Sequence, residues 1–283
     1  MHAPDCTVRT MSQAELAIAV DWAAAEGWNP GLHDAGCFHA ADPDGFLIGR
    51  LEDEPVAVLS VVKYGESFGF LGFFIVKPQH RGHGYGRQIW QAGMAYLEGR
   101  SIGLDGVVEQ QANYGKSGFV LAHRNVRYQG VARAQRPAPP GTVALATLPF
   151  DALLAYDQPF FPEPRTRFLR CWINQPDGTA LGILDDGQLG GYGVLRRCRN
   201  GFKIGPLFAD SPALAEQLFM ALQAQAPEGA ALFLDVPEPN AEAVAMAQRH
   251  GMSIVFETAR MYKGRAPELP VERIFGITTF ELG

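Results

Sequence analysis

Residues 68–99 read FGFLGFFIVKPQHRGHGYGRQIWQAGMAYLEG, and three patterns follow one another in them. FGFLGFFIVKP is a nearly all-apolar run of strand length, as expected of a strand covered on both faces in the middle of a sheet. Gln79-His80-Arg81-Gly82-His83-Gly84-Tyr85-Gly86 is a glycine-rich loop. The rest is an amphipathic helix, with Ile89, Trp90, Gly93, Met94 and Leu97 on one face and Gly99 as its C-cap. Glycines before a helix let backbone N–H groups turn inward, and the positive end of the helix dipole points at the same spot. The combination predicts a pocket for a pyrophosphate. It is not a P-loop, because GxxxxGK[ST] is absent. It is not a dinucleotide fingerprint either, because Ile89 stands where the third glycine of GxGxxG belongs.

Upstream, TVRTM reads as a strand, followed by a helical pattern from Leu16 to Trp22 with a capping box formed by Ser12 and Glu15. Residues 26–45 are dense in Gly, Pro, Asp and Asn and read as irregular. Residues 46–65 read as a hairpin turning at Glu52-Asp53-Glu54-Pro55. Downstream, IGLDGVV is a strand, EQQANYGKS a short helix, and GFVLAHRNVRYQGVA a strand.

RAQRPAPPG, residues 133–141, has no apolar periodicity and is expected to link two domains, 1–132 and 142–283. After it the order strand, helices, hairpin, strand, helix, strand, helix, strand recurs, ending on ERIFGITTFEL as a strand. The fold class is α/β, with each domain a mixed, mostly antiparallel sheet flanked by helices.

QxxGxG between a central strand and a helix resembles the coenzyme A loop of the GNAT acyltransferases. Asn113-Tyr114-Gly115-Lys116-Ser117-Gly118-Phe119 is similar to that family's later YxxxGF element. The resemblance covers roughly residues 7–131. It implies that Arg81, Gly82, His83, Gly84, Tyr85, Gly86 and Arg87 cradle the pyrophosphate of acetyl-CoA, with Asn113 nearby. It implies that Phe74, Ile75 and Val76 pair with the pantetheine amides and polarise the thioester carbonyl. Tyr114 lies where family members hold the acid that meets the departing thiolate. A phenol near pKa 10 against a thiol near 8.5 fits hydrogen-bond stabilisation or late proton transfer.

The general base is not evident, because FGFLGFFIV carries no carboxylate; Asp105 and Glu109 are the nearest candidates. Trp28, Asn29 and Asp34 lie in the segment that roofs the acceptor site in GNAT folds, where an aromatic wall and a carboxylate would suit an ammonium. His33, Cys37 and His39 match no zinc spacing, so no metal is expected. The second half lacks the phosphate loop: Ala209-Asp210-Ser211-Pro212 stands in its place, with no glycine and a repelling carboxylate. It resembles the degenerate second domain of tandem GNAT proteins. Asp235 and Asn240 there face the shared cleft or merely cap a helix.

The chain has 283 residues, 47% of them hydrophobic and 19% charged, enough for one large or two modest domains. A net charge of −6 argues against nucleic acid and leaves a cationic small molecule open as acceptor. No apolar stretch approaches a membrane span, and MHAPDCTVRT lacks a signal-peptide core. Four separated cysteines fit free thiols in the cytoplasm. The expected activity is transfer of acetyl from acetyl-CoA to a primary amine by direct attack in a ternary complex. A non-catalytic acyl-CoA sensor, and transfer to a hydroxyl or a protein lysine, are the alternatives. Acceptor identity, acyl length and oligomeric state do not follow from the residues.

Overall fold

The structure is a computed structural model that describes residues 6–133 and 139–283. The 133–141 linker therefore lies largely outside the described residues. The first half runs β1 (Thr7–Thr10), α1 (Leu16–Ala25), α2 (Asp34–Ala41), β2 (Phe46–Leu51), β3 (Glu54–Tyr64), β4 (Phe68–Val76), α3 (Tyr85–Tyr96), β5 (Ser101–Val107), α4 (Gln111–Lys116) and β6 (Val120–Val131). The second runs β7 (Thr142–Ala144), α5 (Phe150–Asp157), α6 (Thr166–Trp172), β8 (Thr179–Asp185), β9 (Gln188–Arg197), β10 (Phe202–Ala209), α7 (Pro212–Gln223), β11 (Ala231–Pro237), α8 (Ala241–Arg249), β12 (Ser253–Lys263) and β13 (Ile274–Gly276). The repeat of element order is therefore real.

Three local expectations change. Residues 34–41 are a helix, α2, rather than irregular chain. Its buried residues Asp34, Cys37 and Phe38 fall at the i, i+3, i+4 spacing of one helix face. Gly36 and the surrounding Asp and Pro obscure that period in the sequence. ERIFGITTFEL keeps only three residues in a strand, β13. Cys37 and Cys171 are joined as a disulfide between α2 and α6, with Cα atoms 5.2 Å apart, so two of the four expected free thiols are paired.

The strands form one sheet in the order β1-β2-β3-β4-β5-β12-β6-β11-β10-β9-β8-β7, with β13 on β10. Among the described residues only β4–β5 and β10–β11 are parallel. The halves exchange strands at the centre: β12 of the second half lies beside β5 of the first, and β6 of the first lies beside β11 of the second. The core follows this exchange. Phe38 and Phe73 of the first half share one buried cluster with Trp172, Phe208 and Phe280 of the second. Leu59, Ile89 and Leu104 beneath α3 form another, completed by Ala259 and Met261 of β12. Among the described residues no helix is long and apolar enough to cross a membrane.

Candidate active site

β4 and β5 pair from Phe68–Ser101 to Leu71–Leu104 and then part, although β4 continues to Val76 and β5 to Val107. A bulge drives them apart. On β3, Ser60 faces Gly72 and Val58 faces Ile75, so Leu59 alone opposes both Phe73 and Phe74. Phe73 takes up the extra residue at φ 47°, a backbone region that side chains rarely enter. Beyond the bulge, Phe73 and Ile75 point into the core shared by the halves, while Phe74 and Val76 pack toward α3. The parted strands open a cleft of about 390 Å³.

α3 begins at the mouth of this cleft. Gly84 precedes it at φ 93°, and Gly82 sits at φ 82°. A Cβ on either would meet nothing within 4 Å, so the sign of φ, not crowding, requires glycine there. Gly86 is different: a Cβ would lie 3.2 Å from the Val76 side chain and 3.4 Å from the Phe74 ring, so glycine brings α3 close against β4. Arg81 donates from Nε to the Val76 carbonyl at 2.9 Å and pairs with Glu26 at the end of α1.

Of the residues expected at the site, Phe74, Ile75, Val76, Arg81, Trp28, Asp105 and Tyr114 line the cleft. Tyr114 is buried, its ring stacked 5.7 Å from that of Trp90, and burial pushes its phenol up to about 12. Asp105 is engaged: Arg260 of β12 grips it with two bonds of 2.8 and 2.6 Å, and Asn125 adds a third at 2.8 Å. Both oxygens of that carboxylate are thus already committed to Arg260 and Asn125. Glu109 is exposed and does not line the cleft. Asn113 is also exposed, bonded to Gln110 just before α4 and to Lys116 at its end.

Asn29 and Asp34 serve the architecture. Asn29 exchanges two hydrogen bonds with the Asn200 backbone, at 2.9 and 3.0 Å. Asp34 is buried, accepts from the Gly31 amide at 2.8 Å and from Gln175 at 3.3 Å, and pairs with Arg196. Two more buried cations hold the same segment: Arg127 donates to the Trp28 carbonyl at 2.6 Å and Lys203 to the Asn29 carbonyl at 3.0 Å. Arg127 also grips Asp235 with bonds of 2.6 and 2.8 Å. Burial pushes the Lys203 amine down, and Asp235 acts against it. The cluster fixes Trp28 at the cleft wall. It left no sequence signal, because isolated cations on alternating strand positions read as solvent-facing residues.

The second half completes the cleft with Phe256 and Thr258 of β12 and with Phe280 and Glu281. These four were not foreseen. Its own equivalent crevice is filled. β10 and β11 pair from Phe202–Leu232 to Ile204–Leu234, and a register shift follows in β10. There β13 inserts, with Leu207 facing Gly276 and the Ile277 amide bonded to the Asp235 carbonyl at 2.9 Å. Asn240 caps α8 through the Ala243 amide at 3.0 Å, and its Nδ2 donates to the Ile274 carbonyl at 2.9 Å, locking the plug in place. Asp210, in the position of the phosphate loop, binds Arg273 and the Tyr156 hydroxyl.

An open crevice between parted parallel strands, with a glycine-capped helix at its mouth, defines the class. The sequence matches the acetyltransferase (GNAT) family over residues 14–119 and an acetyltransferase (GNAT) domain over residues 153–276. The chain belongs to the GNAT family and is an acyltransferase. Among its relatives is the holothin acyltransferase of Pseudoalteromonas sp. (strain SANK 73390), 34% identical over 278 residues, covering 98% of this chain and 94% of the relative. A Pyrococcus horikoshii protein described as an acetyltransferase has the same fold, with TM-score 0.85 at 23% identity, over 100% of this chain and 98% of that one. A tandem GNAT protein from the clavulanic acid biosynthesis pathway superposes with TM-score 0.63 at 14% identity, over 93% of this chain and 100% of that one.

Proposed function

We propose that the chain transfers acetyl from acetyl-CoA to a primary amine by direct attack in a ternary complex, in the cleft between β4 and β5. The observation that carries this reading is the crevice itself, opened by the Phe73–Phe74 bulge and closed at one end by the start of α3. The residues present fit a coenzyme. Gly82, Gly84 and the first turn of α3 offer backbone donors and a positive dipole to a pyrophosphate, with open space around both glycines. Arg81 and Arg87 add charge beside them. Beyond the last pair with β5, the edge of β4 along Phe74, Ile75 and Val76 has no strand on that side, so backbone groups there, the Val76 carbonyl held by Arg81 apart, can bond pantetheine amides and a thioester carbonyl. The coenzyme supplies the activated acyl group. Tyr114 meets the leaving sulfur, and its elevated pKa favours donating a hydrogen bond over giving up its proton.

Trp28, Phe256 and Phe280 form an aromatic wall on the acceptor side, which excludes water and suits a flat or cationic amine. The second half narrows the cleft, which disfavours a protein lysine as acceptor. The lack of a carboxylate on β4 favours a second reading, an acyl-CoA sensor without turnover. Release of free coenzyme A across a panel of primary amines separates the two, with binding of acetyl-CoA measured in parallel by calorimetry. The relative named for holothin puts that compound first among further acceptors to try. Amine-dependent release supports the enzyme; tight binding with no release by any acceptor overturns it.

A further inference from the structure

We infer that Glu281 is the group that takes the proton of the acceptor amine, so that the second half, with its own crevice plugged, supplies the base for the first. The inference rests on the amine-acetyltransferase reading above and deepens it. Glu281 is only 3% exposed, yet it lines the cleft between β4 and β5. Residues 277–283 run buried across β4 just before the bulge. The close approach is set by Gly72, where a Cβ would stand 2.2 Å from the Glu281 carbonyl oxygen and 3.0 Å from Ser60 Oγ. The Glu281 backbone therefore passes one residue from the Phe73–Phe74 bulge, and the residue lines the same cleft as the strand proposed to hold the thioester carbonyl.

Its two oxygens differ. Thr279 donates its hydroxyl to Oε2, which fixes the side chain. Oε1 is buried without a hydrogen-bond partner among the described residues, and so is Ser60 Oγ on β3 opposite Gly72. A buried carboxylate oxygen left unmatched is costly, so such an atom is retained where something else completes it. An amine entering the cleft brings N–H donors. Arg127, Arg196 and Lys203 from β6, β9 and β10 all sense the Glu281 charge, but their bonds described above go to Asp235, Asp34 and the backbone of Trp28 and Asn29. Asp105, the other carboxylate at this end of the cleft, is saturated by Arg260 and Asn125.

The balance is as follows. The acceptor arrives as an ammonium, whose pKa falls as the aromatic wall strips its water. One proton passes to Glu281 and on to solvent. The nitrogen lone pair then forms the N–C bond at the thioester carbonyl, and the C–S bond breaks with its electron pair on sulfur. A second proton leaves the nitrogen and ends on that sulfur, with Tyr114 bridging by its hydroxyl. The products are amide, free thiol and one proton.

Glu281→Gln keeps the shape and the Thr279 contact while removing the basic oxygen. The panel pairs alkylamines, which are protonated at neutral pH, with arylamines of like size, which are not (benzylamine with aniline). With acetyl-CoA as donor, the variant is expected to lose about 10²-fold in kcat toward the alkylamine, the scale of one acid-base group. Its loss toward the arylamine is expected to be far smaller, with acetyl-CoA affinity by calorimetry unchanged. A role confined to packing would depress both acceptors alike. Equal losses, or a kcat within about twofold of wild type for the alkylamine, overturn the inference and leave the acetyltransferase reading standing. A wild-type protein that binds acetyl-CoA but acylates no acceptor of the panel overturns both. If Glu281→Gln does not fold, Glu281→Asp carries the same comparison, with the alkylamine again losing more.

Discussion

Tyr114 and Gly84 test the two ends of the cleft. The Tyr114 phenol, pushed up to about 12 by burial, stays protonated across the working range. Tyr114→Phe keeps the ring stacked on Trp90 and removes only the hydroxyl, so acetyl-CoA affinity should hold while kcat falls by roughly 10². Stopped-flow or steady-state rates where chemistry limits turnover decide it, and a kcat within about twofold of wild type removes Tyr114 from the reaction. At the other end, Gly84→Asp should abolish acetyl-CoA binding in calorimetry while far-ultraviolet dichroism shows the fold retained. Aspartate adds a negative charge where phosphate oxygens are expected, at a φ of 93° that side chains resist. Unchanged affinity in a folded variant would remove the phosphate role from the loop. Both residues were readable in the chain because their signals are local: glycines at every second position from 82 to 86 need a reason, and Tyr114 stands four residues before Gly118-Phe119. Glu281 was not readable. It lies some 200 residues beyond β4, and only folding sets it over Gly72.

Among the elements, α2 and the segment before it hold the halves together. Asp34 at the start of α2 is the buried partner of Arg196, whose Nε and Nη2 have no partner among the described residues. Asp34→Ala would leave that guanidinium uncompensated, and removing one member of a buried pair costs about 3–5 kcal/mol. Urea unfolding should show that loss as a lower midpoint with an unchanged slope. A change under about 1 kcal/mol would mean that Arg196 finds another partner. The helix escaped notice because its three core residues sit among Gly, Pro and Asp, and because Asp34 looks like a surface carboxylate until Arg196 is brought to it. The disulfide between Cys37 and Cys171 went unseen for the same reason: 134 residues separate two cysteines that only α2 and α6 bring together. The order of the other helices and of the strands before β13, by contrast, was visible in both halves, since periodicity of 2 or 3.6 is written within those elements.

For the whole molecule, the consequence is one open crevice from two similar halves. Calorimetry should give one acetyl-CoA per chain, and Gly84→Asp should remove it entirely. A second equivalent, or binding that survives at the β10–β11 crevice, would mean that β13 leaves its place between Leu207 and Asp235. The plug could not be read from the sequence beyond the missing glycines at 209–212, because a three-residue strand carries no period.

The exchanged strands impose an order in time. A ribosome delivers β5 and β6 long before β11 and β12, the strands that flank them in the finished sheet, and until residue 263 has emerged both wait with open edges. The first half thus carries its glycine loop early but cannot close its sheet until almost the whole chain exists. Pairings this distant in sequence make folding slow and leave strand edges free to find the wrong neighbour. Cutting the gene at the 133–141 linker would therefore yield two pieces, each missing a central strand, and not two small enzymes.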